Sequence, residues 1–242
     1  MLKVFAVDTK VYGYATGYDG KAETLHLEIY QPSTESTSPR PAVVLVHGGG
    51  FAYGDKRQAL FIQIGRQFAG TGFVAFVINY RLKATDAPFR CAIIDSAVED
   101  ITMAIAWIGQ HATEYQVNPE KILIAGDSAG GAIAIHTCFR QPEKTRLVWC
   151  IDLWGGLPGV SNDLWDGEIY PQDLKPCALP ICIIHGTADT VVPYTISLDL
   201  ANKHMAAGGH CEIHLLDHAD HYPEHMADMF IPVMIAFTNM CR

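Results

Sequence analysis

The chain has 242 residues, 49% of them hydrophobic and 18% charged, which supports a large core and excludes a disordered or low-complexity chain. Seventeen Lys and Arg stand against 26 Asp and Glu, a formal net charge of −9. Such a surface repels phosphate backbones and anionic bilayers and argues against nucleic acid or a membrane as partner.

No stretch approaches the roughly 18 apolar residues of a membrane span, and the apolar run Val4–Val7 is too short for a signal peptide. A cytoplasmic location is expected, or a secreted one if a leader has been removed. The seven Cys are odd in number and form no CxxC pair, so reduced, buried thiols are expected. Length and the absence of long linkers or repeats predict one domain over residues 1–242.

Short apolar runs bounded by turn residues predict strands over Val4–Tyr14, Leu25–Tyr30, Ala42–Val46, Phe73–Tyr80, Ile122–Ala125, Val148–Leu153, Ile181–Ile184 and Glu212–Leu216. Runs such as Ala42-Val-Val-Leu-Val46 are apolar on successive residues, the mark of strands covered on both faces. Helical spacing predicts helices over Ala59–Ala69, Ser96–Ile108 (capped by Asp95), Ala129–Phe139, Thr195–Ala207 and Pro223–Asn239. Strands and helices alternate from Ala42 onward. That order predicts an α/β fold with a mostly parallel sheet of about eight strands, helices on both faces and an antiparallel edge formed by the first two strands.

A buried-strand run, Lys121–Ala125, leads directly into Gly126-Asp-Ser128-Ala-Gly130-Gly131 and then a small-residue helix. G-x-S-x-G between strand and helix predicts a sharp turn that lifts the Ser128 hydroxyl above the sheet at a helix N-terminus. Upstream, the Ala42–Val46 strand ends in His47-Gly48-Gly49-Gly50-Phe51. Three consecutive glycines expose backbone N–H groups of the kind that stabilise the oxyanion of acyl transfer. Gly49, Gly50 and Ala129 are the candidate donors, with His47 bracing the loop.

A serine nucleophile needs a His oriented by a carboxylate, and both candidates follow strand ends downstream. Asp189 lies on the loop after Ile181–Ile184. His221 and His218 both follow Glu212–Leu216, and His221 is favoured because it lies further past the strand end. His221 and His225 also stand four apart, but the intervening Pro223 and the lack of an H-E-x-x-H pattern argue against a metal. No metal or cofactor is expected.

Together these residues resemble the α/β-hydrolase superfamily, and within it the hormone-sensitive-lipase-like carboxylesterases and the small carbohydrate or feruloyl esterases. The resemblance is carried by Val46-His-Gly-Gly-Gly-Phe51, Asn79-Tyr-Arg-Leu82, Asp100 before Trp107, Gly126-Asp-Ser-Ala-Gly-Gly131 and His185-Gly-Thr-Ala-Asp-Thr-Val-Val-Pro193. It implies an α/β-hydrolase fold, with Ser128 as nucleophile, Asp189 as acid, His221 as base, and Asp127 holding the oxyanion loop. Only 46 residues precede His47, which implies little or no cap and an open cleft.

The implied activity is hydrolysis of short-chain acyl esters, carbohydrate-linked acetyl or feruloyl esters included, through an acyl-enzyme. The implied partner is a small-molecule ester, and the oligomeric state stays open between monomer and homodimer. Phe51, Tyr53, Trp154 and Trp165 are candidate substrate contacts, the last two on a long loop spanning 154–176. An aryl formamidase-type amide hydrolase, a peptidase of the same fold and a non-catalytic hydrolase-fold binding protein are the alternatives.

Overall fold

The computed structural model describes residues 4–84, 91–140, 145, 147–156 and 179–238. Among these, eight strands form one sheet: β1 (Val4–Thr16), β2 (Ala22–Pro32), β3 (Arg40–Val46), β4 (Val74–Ile78), β5 (Val117–Asp127), β6 (Leu147–Leu153), β7 (Ile181–Gly186) and β8 (Cys211–Leu216). Their spatial order is β1-β2-β4-β3-β5-β6-β7-β8. β1 pairs antiparallel with β2, and β2 antiparallel with β4. Every other pairing is parallel.

Five helices are described: α1 (Ala59–Gly70), α2 (Cys91–Gln110), α3 (Ala129–Arg140), α4 (Tyr194–Ala206) and α5 (Ala227–Thr238). Side chains alternate across a strand, so a run buried at every position must be covered twice. In β3, Val44 and Val46 pack into a layer built from α2, α3 and α4, whereas Val43 and Leu45 pack into a second layer built from α1 and α5. The same division separates Ile122 and Ile124 from Leu123 and Ala125 in β5. This is the α/β-hydrolase arrangement.

Two helix boundaries differ from expectation. The second helix begins at Cys91, so Asp95 lies inside it and does not cap it. Buried Ile93 and Ile94 extend its apolar stripe by more than a turn. The expected Pro223–Asn239 helix resolves into a single 3-10 turn, Glu224–Met226, followed by α5, which carries Pro232 in its interior. Asn239 lies outside the described residues.

The register fixes where the site must be. Val46 pairs with Gly126, Gly126 with Asp152, Leu153 with Ile184, and Gly186 with Leu216. The segments leaving β3, β5, β6, β7 and β8 therefore emerge along one edge of the sheet, at the carboxyl ends of the strands, where open α/β sheets bind ligands.

Candidate active site

Ser128 sits between β5 and α3 with φ +49°, in the left-handed region that residues with a Cβ avoid. Its N–H donates to Leu153 O at 2.8 Å and its carbonyl accepts from Ala132 N at 3.0 Å, so both sides of the turn are anchored. Glycine is required beside it. A Cβ on Gly126 would lie 2.3 Å from Gly130 O, and one on Gly130 would lie 2.1 Å from Val46 O and 2.7 Å from His47 O. The serine turn and the glycine loop after β3 thus touch backbone to backbone.

That glycine loop is tightly specified. Gly49, Gly50 and Phe51 have φ of +115°, +59° and +62°. The Gly49 carbonyl accepts from Ala52 N at 3.0 Å and Tyr53 N at 2.9 Å, closing the turn. Asp127, next to the serine, accepts the Gly48 N–H at 2.5 Å. Burial pushes the Asp127 carboxyl up to about 7, against the opposing effects of the Gly48 N–H and His221. His47 is fully buried, stacks on Tyr80 with ring centroids 4.7 Å apart, and its Nδ1–H donates to Gly48 O at 2.8 Å. Tyr80 Oη donates to His47 O at 2.9 Å, so the ring and the strand end brace one another.

The loops after β7 and β8 bring the other two groups to Ser128. His221 Nε2 is 2.9 Å from Ser128 Oγ, and His221 Nδ1 is 2.7 Å from Asp189 Oδ2. A carboxylate accepts from Nδ1–H, which leaves Nε2 free to accept the serine hydroxyl. Asp189 Oδ1 accepts the N–H groups of Val191 at 2.9 Å and Val192 at 2.8 Å. Burial raises the Asp189 carboxyl, but hydrogen bonds from His185, His221 and the Val192 N–H outweigh it and hold it well below the usual carboxylate range. The two loops are tied together where Ala188 N donates to Ala219 O at 2.9 Å and Asp220 Oδ1 accepts Thr190 N at 3.2 Å and His221 N at 2.7 Å.

His218, the other candidate base, points away: its side chain is 92% exposed and faces Asp217 at 3.5 Å. Among the described residues, no group of three His, Cys, Asp or Glu side chains is placed to hold a metal ion. No described helix is long and apolar enough to cross a membrane.

The expected substrate contacts divide. Tyr53 is exposed, 63% accessible, on the loop after the glycines. Phe51 is buried in the core layer of α2 and α3. Trp154 is fully buried in the other layer, edge-on to Phe230 and Tyr222, with a left-handed φ of +43°. It supports the end of β6 from within and offers no surface to a ligand, which corrects the expectation. Its size and its place after a strand mimic a pocket residue in the sequence. Trp165, and the 154–176 loop beyond Gly156, lie outside the described residues.

One residue at the site was not assigned a part from sequence. His185, the penultimate residue of β7, is fully buried and its Nε2 lies 3.1 Å from the same Asp189 oxygen that His221 uses. Its signal was the spacing His185…Asp189 at the end of a buried strand.

Comparison with known proteins agrees with this fold. Residues 27–149 match the BD-FAE family, and residues 90–235 match the phospholipase/carboxylesterase family. The chain is 34% identical over 166 residues to esterase LipI of Mycobacterium tuberculosis, covering 67% of this chain and 44% of that one. It is 31% identical over 157 residues to an acetyl esterase of Salmonella agona, covering 60% of this chain and 44% of that one. It therefore spans under half the length of these curated relatives.

Among solved structures, esterase 2 of Thermogutta terrifontis phosphorylated by paraoxon superposes with a TM-score of 0.78 at 27% identity, covering 96% of this chain and 93% of that one. Its propionate-bound form also gives 0.78 at 27% identity, covering 97% and 94%. With residues 90–235 matched, the chain belongs to the phospholipase/carboxylesterase family, and its sheet is that of an α/β-hydrolase.

Proposed function

We propose that this protein is a serine carboxylesterase that cleaves short-chain acyl esters through an acyl-enzyme. The observation that carries the reading is the unbroken hydrogen-bonded line from Ser128 Oγ through His221 to Asp189, at 2.9 and 2.7 Å. His221 takes the serine proton as Oγ attacks the ester carbonyl. The tetrahedral oxyanion is met by the N–H groups of Gly49, Gly50 and Ala129. His221 returns the proton to the departing alcohol, then removes one from the water that releases the acid. Asp189 holds the imidazole with Nδ1–H inward and stabilises the imidazolium.

The short-chain preference is supported by the acetyl esterase relative and by the propionate-bound neighbour. Carbohydrate-linked acetyl or feruloyl esters are the natural extension to test. We take residues 1–242 as one domain acting on a small-molecule ester, with Asp127 as the anchor of the oxyanion loop.

The test is hydrolysis of p-nitrophenyl esters from acetate to palmitate beside Ser128→Ala. Fast turnover of acetate and butyrate, lost in the variant with the fold intact, is the expected result. Turnover retained by Ser128→Ala, or no ester cleaved by the folded wild type, would overturn the reading. The second outcome would direct attention to N-formyl amides.

A further inference from the structure

We propose that His185 is a positioning residue for the acid, so that the proton-handling group is a three-part array, His185–Asp189–His221. This rests on the triad proposed above and adds to it a second imidazole on the carboxylate.

The Asp189 carboxylate has about four lone-pair directions, and all are met by N–H groups. Oδ1 takes the backbone of Val191 and Val192, and Oδ2 takes His221 Nδ1 at 2.7 Å and His185 Nε2 at 3.1 Å. His185 Nε2 also lies 2.9 Å from Val192 O. Both of its neighbours are acceptors only, so Nε2 must carry the hydrogen. The other ring nitrogen, Nδ1, is 2.7 Å from Ser197 Oγ on α4, whose hydroxyl donates to it and fixes the tautomer. His185 and Ser197 are both fully buried, so neither partner is exchanged for water.

A histidine serving only as core filling would need some partner for each nitrogen. This one shares its single Nε2–H between Val192 O and the oxygen that orients His221. The consequence is chemical. A hydrogen bond donated to Oδ2 draws charge from it and lowers its pull on the His221 imidazolium. His185 therefore sets the direction of Asp189 and moderates the hold of Oδ2 on the His221 ring. The other charges facing this array are carboxylates: Asp152 acts on His185, Asp220 on Asp189, and Asp127 on His221. All three stay in place in the variants below.

The experiment uses three substitutions. His185→Gln retains an N–H near the Nε2 position. His185→Asn retains a polar group near Nδ1 for Ser197 but cannot reach Asp189. His185→Phe keeps the ring volume and removes both bonds, a second route should Asn fold poorly. Two quantities are read: the acid limb of kcat/KM for an ester, and the His221 titration by NMR of 15N-histidine-labelled protein, which requires no turnover.

Losing the donor makes Oδ2 more basic. In the Asn and Phe variants the acid limb and the His221 titration should both move to higher pH, by roughly half a pH unit to one, the worth of a single hydrogen bond. kcat should fall about tenfold as Asp189 loses its direction. His185→Gln should restore the titration toward wild type. A His221 titration unmoved in both donor-free variants would overturn the proposal and leave the triad intact. A wild type that cleaves no ester, with the NMR shift present, would overturn the esterase reading and leave the coupling standing.

Discussion

Gly130→Ala is the sharpest perturbation the site offers. In a helix, alanine normally stabilises over glycine by up to about 1 kcal/mol. Here the new methyl would lie 2.1 Å from Val46 O and 2.7 Å from His47 O, both backbone atoms that no rotamer change can move aside. An unstrained carbon–oxygen contact is about 3.3 Å, so the start of α3 and the end of β3 must part by roughly 1 Å. Overpacking of this kind costs about 1–3 kcal/mol, which a domain of ordinary stability survives. The same displacement moves Ala129 away from Gly49 and Gly50, and a shift of that size costs on the order of a hundredfold in rate. The assay is kcat/KM for p-nitrophenyl acetate beside urea unfolding. Gly109→Ala is the control, because a Cβ there meets nothing within 4 Å. It should gain up to about 1 kcal/mol at full activity. A Gly130→Ala enzyme as stable and as active as wild type would refute the reasoning.

The buried acids predict a particular pH dependence. The folded state raises Asp127 from 3.8 to about 7, so it binds the proton more tightly than the unfolded chain and its contribution to stability is lost as pH rises between those values. The loss is on the order of 4 kcal/mol, and Asp152, raised by burial to about 6, adds in the same direction. Asp127→Asn should therefore shrink the fall in urea midpoint between pH 5 and pH 8, and an unchanged difference would count against this. Asp100 is fully buried and meets Arg81 through its Nε and its backbone N–H at 2.8–3.0 Å. Asp100→Ala should destabilise by roughly 3–5 kcal/mol, and a loss under about 1 kcal/mol in urea unfolding would show the pair to be dispensable. Cys138, Cys150 and Cys182 are fully buried, and burial pushes the Cys182 thiol up. The three should resist a water-soluble disulfide reagent until the protein is unfolded, and fast labelling of any of them in the native state would contradict their placement.

Much of the fold is legible because strands covered on both faces read as unbroken apolar runs, and β3, β6 and β7 fall within two residues of their expected limits. The helix ends are less legible. Asp95 mimics a cap, yet Ile93 and Ile94 before it are buried, and the helix starts earlier, at Cys91. Pro223 mimics a helix start but opens only a 3-10 turn. At the site, residues at strand ends are legible because the parallel sheet collects those ends on one edge. Trp154 illustrates the opposite case. Its left-handed backbone turns the side chain into the core, and no pattern in the sequence reports that turn. His185 was hidden for a related reason: a polar residue closing a buried run reads as the end of the strand, and only the fold shows that it faces Asp189.

The most direct test of the central claim is mass spectrometry of the protein after exposure to paraoxon, at pH 8 and with a Ser128→Ala control. The arrangement of Ser128, His221 and Asp189 predicts one diethylphosphoryl group per chain, located on Ser128 and absent from the variant. A wild type that stays unlabelled, or a label found on any other residue, would contradict the account.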